Sequence, residues 1–153
     1  MEKKERKTFW AVIMIIFAII QLGVLIMDVV DFATSIGTAK ETYKAIYEAQ
    51  NIAANEAESL ANTSYYSYIT VFAISSAIKL TLISGAFSLV FKGKGGKLII
   101  VLSFIGIAAA IYGLVIAIRV ALPMPIVGNS LSLLVYLLLF VGALRLRKIG
   151  KQK

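Results

Sequence analysis

Four polar side chains, Gln21, Lys79, Tyr112 and Tyr136, interrupt apolar segments of the chain and are the residues whose type and position could do chemistry. Lys79 is the clearest case, because the stretch ISSAIKLTLISG (74–85) has no other charge and no acidic residue lies within twenty positions of the lysine. An ammonium group in apolar surroundings is costly unless polar partners surround it. Each apolar segment carries one of the four side chains at roughly its middle, so we treat them as a candidate polar layer.

Three arrangements around Lys79 are open from the sequence. The lysine is uncharged, or neutral acceptors such as Gln21, Tyr112, Ser75 and Ser76 hold it, or water links it to Asp28. We expect neutral acceptors together with water, and a lysine that faces the protein interior or an oligomer seam. The competing interpretation is a tolerated lysine that thins the bilayer around it.

A second polar level contains Asp28 and Arg119, which end the first and third apolar segments. At 1.5 Å per residue both lie ~15 Å from the middle of their segments, and we predict an outer ion pair between them. The alternative is that both side chains are solvated among lipid headgroups.

The chain has no cysteine and no histidine. This composition excludes disulfides, the common zinc and haem ligand sets and any histidine-based proton transfer. No nucleophile–base pair is visible, and no basic surface is interleaved with aromatic residues. We therefore expect no enzyme activity, no metal, no cofactor and no nucleic-acid partner.

The elements that position the polar residues are four apolar segments. The chain is 59% hydrophobic and 16% charged, with a mean hydropathy of +0.87 over 153 residues. A helix needs roughly 20 apolar residues to cross a bilayer. The sequence therefore predicts an all-α integral membrane protein, one domain over 1–153, with transmembrane helices at about 9–32, 66–91, 98–120 and 126–145.

Charge predicts the orientation of these helices. Twelve of the 16 Lys and Arg residues lie near the N-terminus, in 92–97 and in 145–153, whereas residues 28–66 contain six acidic residues and two lysines. Short basic segments stay in the cytoplasm. We expect a protein of the cell membrane with both termini cytoplasmic.

Residues 33–65 form the only sizeable segment outside the predicted spans. Gly37 is a good helix stop, and Thr38 with Glu41 matches a capping box. From there Tyr43, Ile46, Ala53, Ala57 and Leu60 recur at helical spacing. We predict an outer amphipathic helix at about 39–61 that lies on the membrane surface; the alternative is a hairpin that breaks near Gln50-Asn51. Asn62-Thr63-Ser64 offers a glycosylation acceptor.

Small residues form two stripes at helical spacing. On the second predicted helix they are Ser67, Thr70, Ala73, Ala77, Thr81, Ser84, Gly85 and Ser88, opposite Lys79. On the third they are Gly106, Ala110, Gly113 and Ala117, an ordinary helix-packing pattern. A second helix with small residues on one side and Lys79 on the other has no free lipid face, so we expect either surrounding protein or a wet cavity at Lys79.

These features favour a small membrane subunit or interaction protein without chemistry of its own, in a homo-oligomer or with other membrane subunits. The alternative is an oligomeric transporter or channel with its polar layer around Lys79, and a membrane enzyme ranks third. The four-helix plan is similar in outline to claudins, but their Trp-Gly-Leu-Trp and paired-cysteine signature is absent. It is also similar to small multidrug transporters, but residues 9–27 lack the membrane glutamate of that family.

Overall fold

The computed structural model describes residues 3–119 and 123–150, with side chains except at 3, 116, 117, 119, 123–127 and 150. Within these ranges the chain is all-helical and contains no strand. The helices are α1 Lys3–Ala49, α2 Ala54–Lys92, α3 Gly96–Arg119 and α4 Pro123–Gly150. All four contain a stretch that is long and apolar enough to cross a membrane, as the sequence predicts.

Helix α1 continues through the predicted stop at Gly37. The hydroxyl of Thr38 does not cap a new helix, because it donates a hydrogen bond to the carbonyl oxygen of Ser35 at 3.3 Å within α1. A single glycine costs a helix only ~1 kcal/mol relative to alanine. The good helix formers that follow, Lys40 and Glu41 among them, let α1 run to Ala49.

The chain turns instead at residues 50–53, where Asn51 has a positive φ of 61°. The backbone N–H of Ile52 donates to the carbonyl of Tyr47 at 3.3 Å, and that of Asn51 donates to Glu48 at 3.0 Å. This pair of bonds is a Schellman motif, which places a residue in the left-handed region just after the helix. Asparagine is one of the few residues other than glycine that tolerates that region.

The predicted amphipathic helix over 39–61 is therefore wrong, and the hairpin that breaks near Gln50-Asn51 is the arrangement observed. The break divides the predicted apolar face between two helices. Ile46 of α1 is exposed, whereas Ala57 of α2 is buried. By contrast, α3 and α4 begin and end within a few residues of their predicted positions.

The chain separates into two compact units. The bundle unit combines the residues up to Gly23 with those from Lys79 onward, and the hairpin unit is Val24–Ile78. The predicted single domain over 1–153 stays a prediction.

The hairpin unit joins the second part of α1 to the first part of α2 across the turn at 50–53. The rings of Phe32 and Phe72 stack with centroids 3.9 Å apart, and the hydroxyls of Ser35 and Tyr68 lie 2.8 Å apart. Nearer the turn, Ala57 and Ala61 are completely buried, and among the described residues they are the only side chains of α2 in the hairpin unit that are. Small buried residues let two helix backbones approach closely.

The bundle unit contains the packed pair α3 and α4 and the end segments of α1 and α2. Its buried apolar side chains come from all four helices: Met14, Ala18, Leu82, Ile83, Ala86, Leu89, Ile99, Ala110, Val135, Leu139, Ala143 and Leu146. A tight turn at 93–95 joins α2 to α3. Gly93 has φ 67° and donates its N–H to Leu89 at 3.1 Å, a left-handed helix cap that only glycine adopts without strain.

Candidate functional site

Glycines fix the register between the antiparallel helices α3 and α4. A Cβ added at Gly106 would lie 2.8 Å from ring carbons of Tyr136, so the tyrosine ring rests on the glycine backbone. A Cβ added at Gly113 would lie 2.5 Å from the amide oxygen of Asn129. Three residues of the predicted small-residue stripe of α3 thus lie on the side that packs against α4, with Ala110 buried between the two glycine contacts; the side chain of Ala117 lies outside the described residues.

The contact between α2 and α3 places Lys79 at the level of Tyr136. A Cβ added at Gly85 would lie 3.0 Å from Ile99. Six residues before Gly85 is Lys79, and six residues after Ile99 the antiparallel α3 reaches the position just before Gly106. Both helices rise 1.5 Å per residue, so Lys79 lies opposite residue 105 of α3. Tyr136 covers the next residue, Gly106, and is therefore at nearly the same height along the bundle.

The contact between α1 and α4 places Gln21 at the same level. A Cβ added at Gly142 would lie 2.5 Å from the sulfur of Met14. Gln21 lies seven residues after Met14 on α1, and Val135 lies seven residues before Gly142 on α4. Gln21 is therefore at the height of Val135, next to Tyr136. The bundle unit therefore brings three of the four predicted residues, one each from α1, α2 and α4, to one level.

All three side chains at this level are buried. The exposed fraction is 1% for Gln21, 8% for Lys79 and 7% for Tyr136. Lys79 lies on the buried side of α2, on the same face as Leu82, Ala86 and Leu89. Lys79 and Tyr136 each have an interaction partner in the structure. Neither amide atom of Gln21 has a hydrogen-bond partner within the described chain.

Tyr112 does not join this level. It lies six residues beyond Gly106, ~9 Å farther along α3, and its side chain is 71% exposed. The exposure of Tyr112 follows from helical geometry. Gly106 and Gly113 face α4, and Tyr112 is rotated by 100° about the helix axis from Gly113, so its side chain points away from α4.

The predicted outer ion pair between Asp28 and Arg119 stays a prediction. The side chain of Arg119 lies outside the described residues, and α3 ends at that position. Asp28 is half-buried in the hairpin unit and has an interaction partner there or elsewhere in the chain.

Sequence reasoning missed two polar residues of the bundle unit. Ser103 is fully buried one turn before Gly106, and its hydroxyl has no hydrogen-bond partner within the described chain. Asn129 covers Gly113. A signal for Ser103 was present, because it precedes Gly106 by three residues and Ala110 by seven, both helical spacings, so the small-residue stripe begins earlier than predicted.

The resulting polar layer, defined as Gln21, Lys79, Ser103 and Tyr136, has one ionisable amine among neutral groups. An amide, a hydroxyl and a phenol can accept hydrogen bonds from an ammonium group. They can also bind water, because buried waters typically occupy sites with unsatisfied polar groups. Such a layer either holds helices together or lines a path for a polar solute.

The small-residue stripe of α2 lies on the other side of that helix, and it is open except at Gly85, which is buried against Ile99 of α3. In the hairpin unit Ser67, Thr70, Ala73 and Ala77 are exposed. In the bundle unit an open groove of about 440 Å³ lies between α2 and α3, lined by Thr81, Ser84, Gly85 and Ser88 with Gly95 and the flanking leucines. Lys79 is buried within the bundle unit, whereas the opposite side of α2 carries the open groove, so the choice between surrounding protein and a wet cavity at Lys79 stays a prediction.

No protein-family model matches the chain, and neither a curated protein nor a solved structure is significantly similar to it. Function must therefore be argued from the residues themselves.

Proposed function

We propose that this chain is a small multi-pass membrane protein that acts as a non-catalytic subunit or interaction protein of a membrane assembly. Its surface supports the membrane assignment. Large apolar side chains such as Phe91, Phe104 and Val71 are exposed on helices with the length and composition of membrane spans. Exposed apolar side chains in this number need lipid or protein to cover them.

The orientation we propose is that of the cell membrane with both termini cytoplasmic. Most of the basic residues of the bundle unit lie at or beside the turn at 93–95 or at the described ends of α1 and α4, for example Lys7, Lys94 and Lys148. Positive charge in short segments retains them in the cytoplasm. The turn at 50–53 then lies on the outer side.

The observation that carries the subunit proposal is the groove lined by Thr81, Ser84, Gly85 and Ser88. In a bilayer, lipid tails gain little from contact with small polar side chains, whereas a neighbouring helix can approach closely and accept their hydroxyl hydrogen bonds. The opposite face of α2 is already buried within the chain, from Lys79 to Leu89. The groove is thus the surface suited to another membrane helix, from a second copy or from a different subunit.

The absence of a catalytic role is part of the proposal. The support is the sequence, which has no histidine or cysteine and places six of its eight acidic residues between positions 28 and 58. That distribution leaves no paired acid and base at the polar layer.

The groove can be tested by filling it. We expect the full chain, extracted from its native membrane in mild detergent, to have the mass of a complex in native mass spectrometry. Ser84→Leu should reduce that mass to a single chain, because the larger side chain occupies the space for a partner helix. Ser130→Leu, at an exposed serine of α4, is the matched control and should leave the complex intact. A single-chain mass for the unsubstituted protein would contradict the proposal.

The second candidate is an oligomeric transporter or channel, and the buried polar layer around Lys79 is the observation that favours it. Intramembrane ionisable residues commonly mark solute paths. Lys79→Met keeps the length and removes the charge. A structural layer predicts an altered melting temperature or altered assembly in this variant. A transport role predicts normal assembly with lost ion or solute flux in proteoliposomes.

A further inference from the structure

The bundle unit contains a cavity of about 740 Å³ to which all four helices contribute. Lys7 comes from the start of α1, Lys92 from the end of α2, Lys97 from the start of α3 and Arg147 from the end of α4. The volume is in the range of sites that hold a small ligand or a lipid headgroup. This cavity is distinct from the polar layer, which lies at the middle of the helices.

All the charged residues that line the cavity are basic. None of the described residues that line it is acidic, and the four cationic side chains approach it from four different helices. Charges of one sign around a concave site with apolar walls reinforce each other and concentrate anions there. An arginine adds a planar pair of donors, which matches the oxygen atoms of a phosphate.

The backbone of the α2–α3 turn adds to this potential. The N–H of Ile99 makes the first bond of α3, to the carbonyl of Gly95 at 3.1 Å. The N–H groups of the three residues before Ile99 have no partner within the helix, and those residues line the cavity. The positive end of the α3 dipole therefore faces the same space as the cationic side chains.

The cavity also has an apolar wall. Leu89 and Leu146 line it as buried residues, and Phe91 and Leu98 line it as exposed ones. A soluble anion would gain nothing from these side chains. A lipid can place its headgroup among the cations and its acyl chains along the apolar residues. Basic cavities between helices on the cytoplasmic side of membrane proteins bind anionic headgroups in this way.

We propose that this cavity binds a phosphate group, presented by an anionic lipid headgroup or by a soluble phosphate compound. The cavity shares Gly95 and Leu98 with the groove on α2, but the four cations on which the inference rests lie outside that groove. Loss of phosphate binding would leave the subunit proposal standing, and loss of assembly would leave this site standing.

The test is lipid titration of the full chain in detergent by native mass spectrometry, with phosphatidylglycerol and phosphatidylcholine as probes. The double variant Lys92→Gln with Arg147→Gln removes two lining charges. The double variant Lys94→Gln with Lys148→Gln removes equal charge from neighbouring positions whose side chains do not line the cavity. We expect phosphatidylglycerol to bind in preference to phosphatidylcholine, and the lining pair to weaken that binding roughly tenfold more than the control pair.

A second arm distinguishes the source of the phosphate. If pyrophosphate raises the melting temperature of the full chain as much as phosphatidylglycerol does, and the lining pair abolishes the rise, the ligand is a soluble phosphate compound. Helix content by circular dichroism should be the same in both double variants. If the lining pair does not fold, Lys97→Gln against Lys94→Gln makes the same comparison. Equal losses in lining and control variants would overturn the site, and so would the absence of both a preference for phosphatidylglycerol over phosphatidylcholine and a rise in melting temperature with pyrophosphate.

Discussion

The bundle unit and the hairpin unit hold their helices together with different side chains. In the bundle unit, large side chains rest on glycines: Tyr136 on Gly106 and Met14 on Gly142. Its polar residues Gln21 and Ser103 are completely buried without hydrogen-bond partners in the described chain. Stability there depends on close packing.

In the hairpin unit, side-chain hydrogen bonds and an ion pair join the two helices in addition to the stacked rings of Phe32 and Phe72. The hydroxyls of Tyr47 and Ser64 lie 2.7 Å apart, and Lys40 approaches Glu58 to 3.9 Å with both side chains about half exposed. Its glycine, Gly37, has no atom within 4 Å of an added Cβ. An exposed ion pair of this kind contributes little, ~0–1 kcal/mol.

The difference separates the bundle unit from the part of the hairpin unit nearest its turn, because the hairpin unit also exposes apolar side chains such as Val71 farther along α2. Small residues under large ones are the contacts that work between helices in lipid, where apolar surface by itself gives no driving force for association. Paired hydroxyls and half-exposed ion pairs are compatible with water or headgroups. The same kind of substitution should therefore have opposite effects in the two units.

The largest expected contrast is between Gly106→Ala and Gly37→Ala. The new methyl group at 106 would meet the buried Tyr136 ring at 2.8 Å, and overpacking of this kind costs about 1–3 kcal/mol. At position 37 the methyl group meets open space, and alanine is the better helix former by about 0.5–1 kcal/mol. Thermal unfolding in detergent should show a lower melting temperature for the first variant and a slightly higher one for the second.

The Gly106 prediction carries its own control. Tyr136→Ala removes the ring, so Gly106→Ala should lower the melting temperature less in the Tyr136→Ala background than in the original chain. Equal melting temperatures for the two glycine variants would contradict the packing described for α3 and α4.

The next contrast concerns buried and exposed glutamine. Neither amide atom of Gln21 has a partner in the described chain, and an unsatisfied buried polar group costs about 1–3 kcal/mol. We expect Gln21→Leu to stabilise the isolated chain by about 1–2 kcal/mol, whereas Gln50→Leu, at an exposed position, should change it by less than about 0.5 kcal/mol. The measurement is chemical or thermal denaturation of the single chain. Destabilisation by Gln21→Leu would mean that a bound water or solute satisfies the amide.

The smallest contrast tests the turn of the hairpin unit. Asn51 has φ 61°, where a Cβ without a helpful polar group costs about 1–2 kcal/mol relative to glycine. Asn51→Ala should lower the stability of the hairpin unit by ~0.5–1 kcal/mol, and Asn51→Gly should match or exceed the original chain. Hydrogen exchange at the amides of 43–64 would report the change. Equal exchange in the alanine and glycine variants would place the turn elsewhere.

The number of helices long enough to span a membrane was predictable from the sequence, because a membrane span needs a long apolar run and such runs are visible without a structure. The break between α1 and α2 was harder to place. Gly37 is the stronger stop signal in the sequence, but a single glycine destabilises a helix only slightly. The Schellman hydrogen bonds at the end of α1 require a positive φ at Asn51. Asparagine tolerates a positive φ but does not require it, so the residue type alone does not predict the turn.

The candidate site was predictable in part. Long apolar segments made Gln21, Lys79 and Tyr136 conspicuous, and helix register brings them to one level. Tyr112 lies away from them because the face of α3 that packs against α4 does not include it, and that face is not evident from the sequence. Ser103 was missed because a serine within a small-residue stripe is usually a helix-packing residue. The position of a side chain along its helix axis follows from counting residues, but the direction in which it points is known only from the contacts between helices.

The most direct test of the subunit proposal uses a photo-crosslinker at the groove. The chain has no cysteine, so Ser84→Cys introduces a single attachment point for benzophenone maleimide. Irradiated in native membranes, this chain should form a crosslinked product that contains a second protein chain, while the Ser130→Cys chain should yield lipid adducts or none. Equal protein crosslinking from both positions, or none from position 84, would contradict the claim that the groove on α2 holds a partner helix.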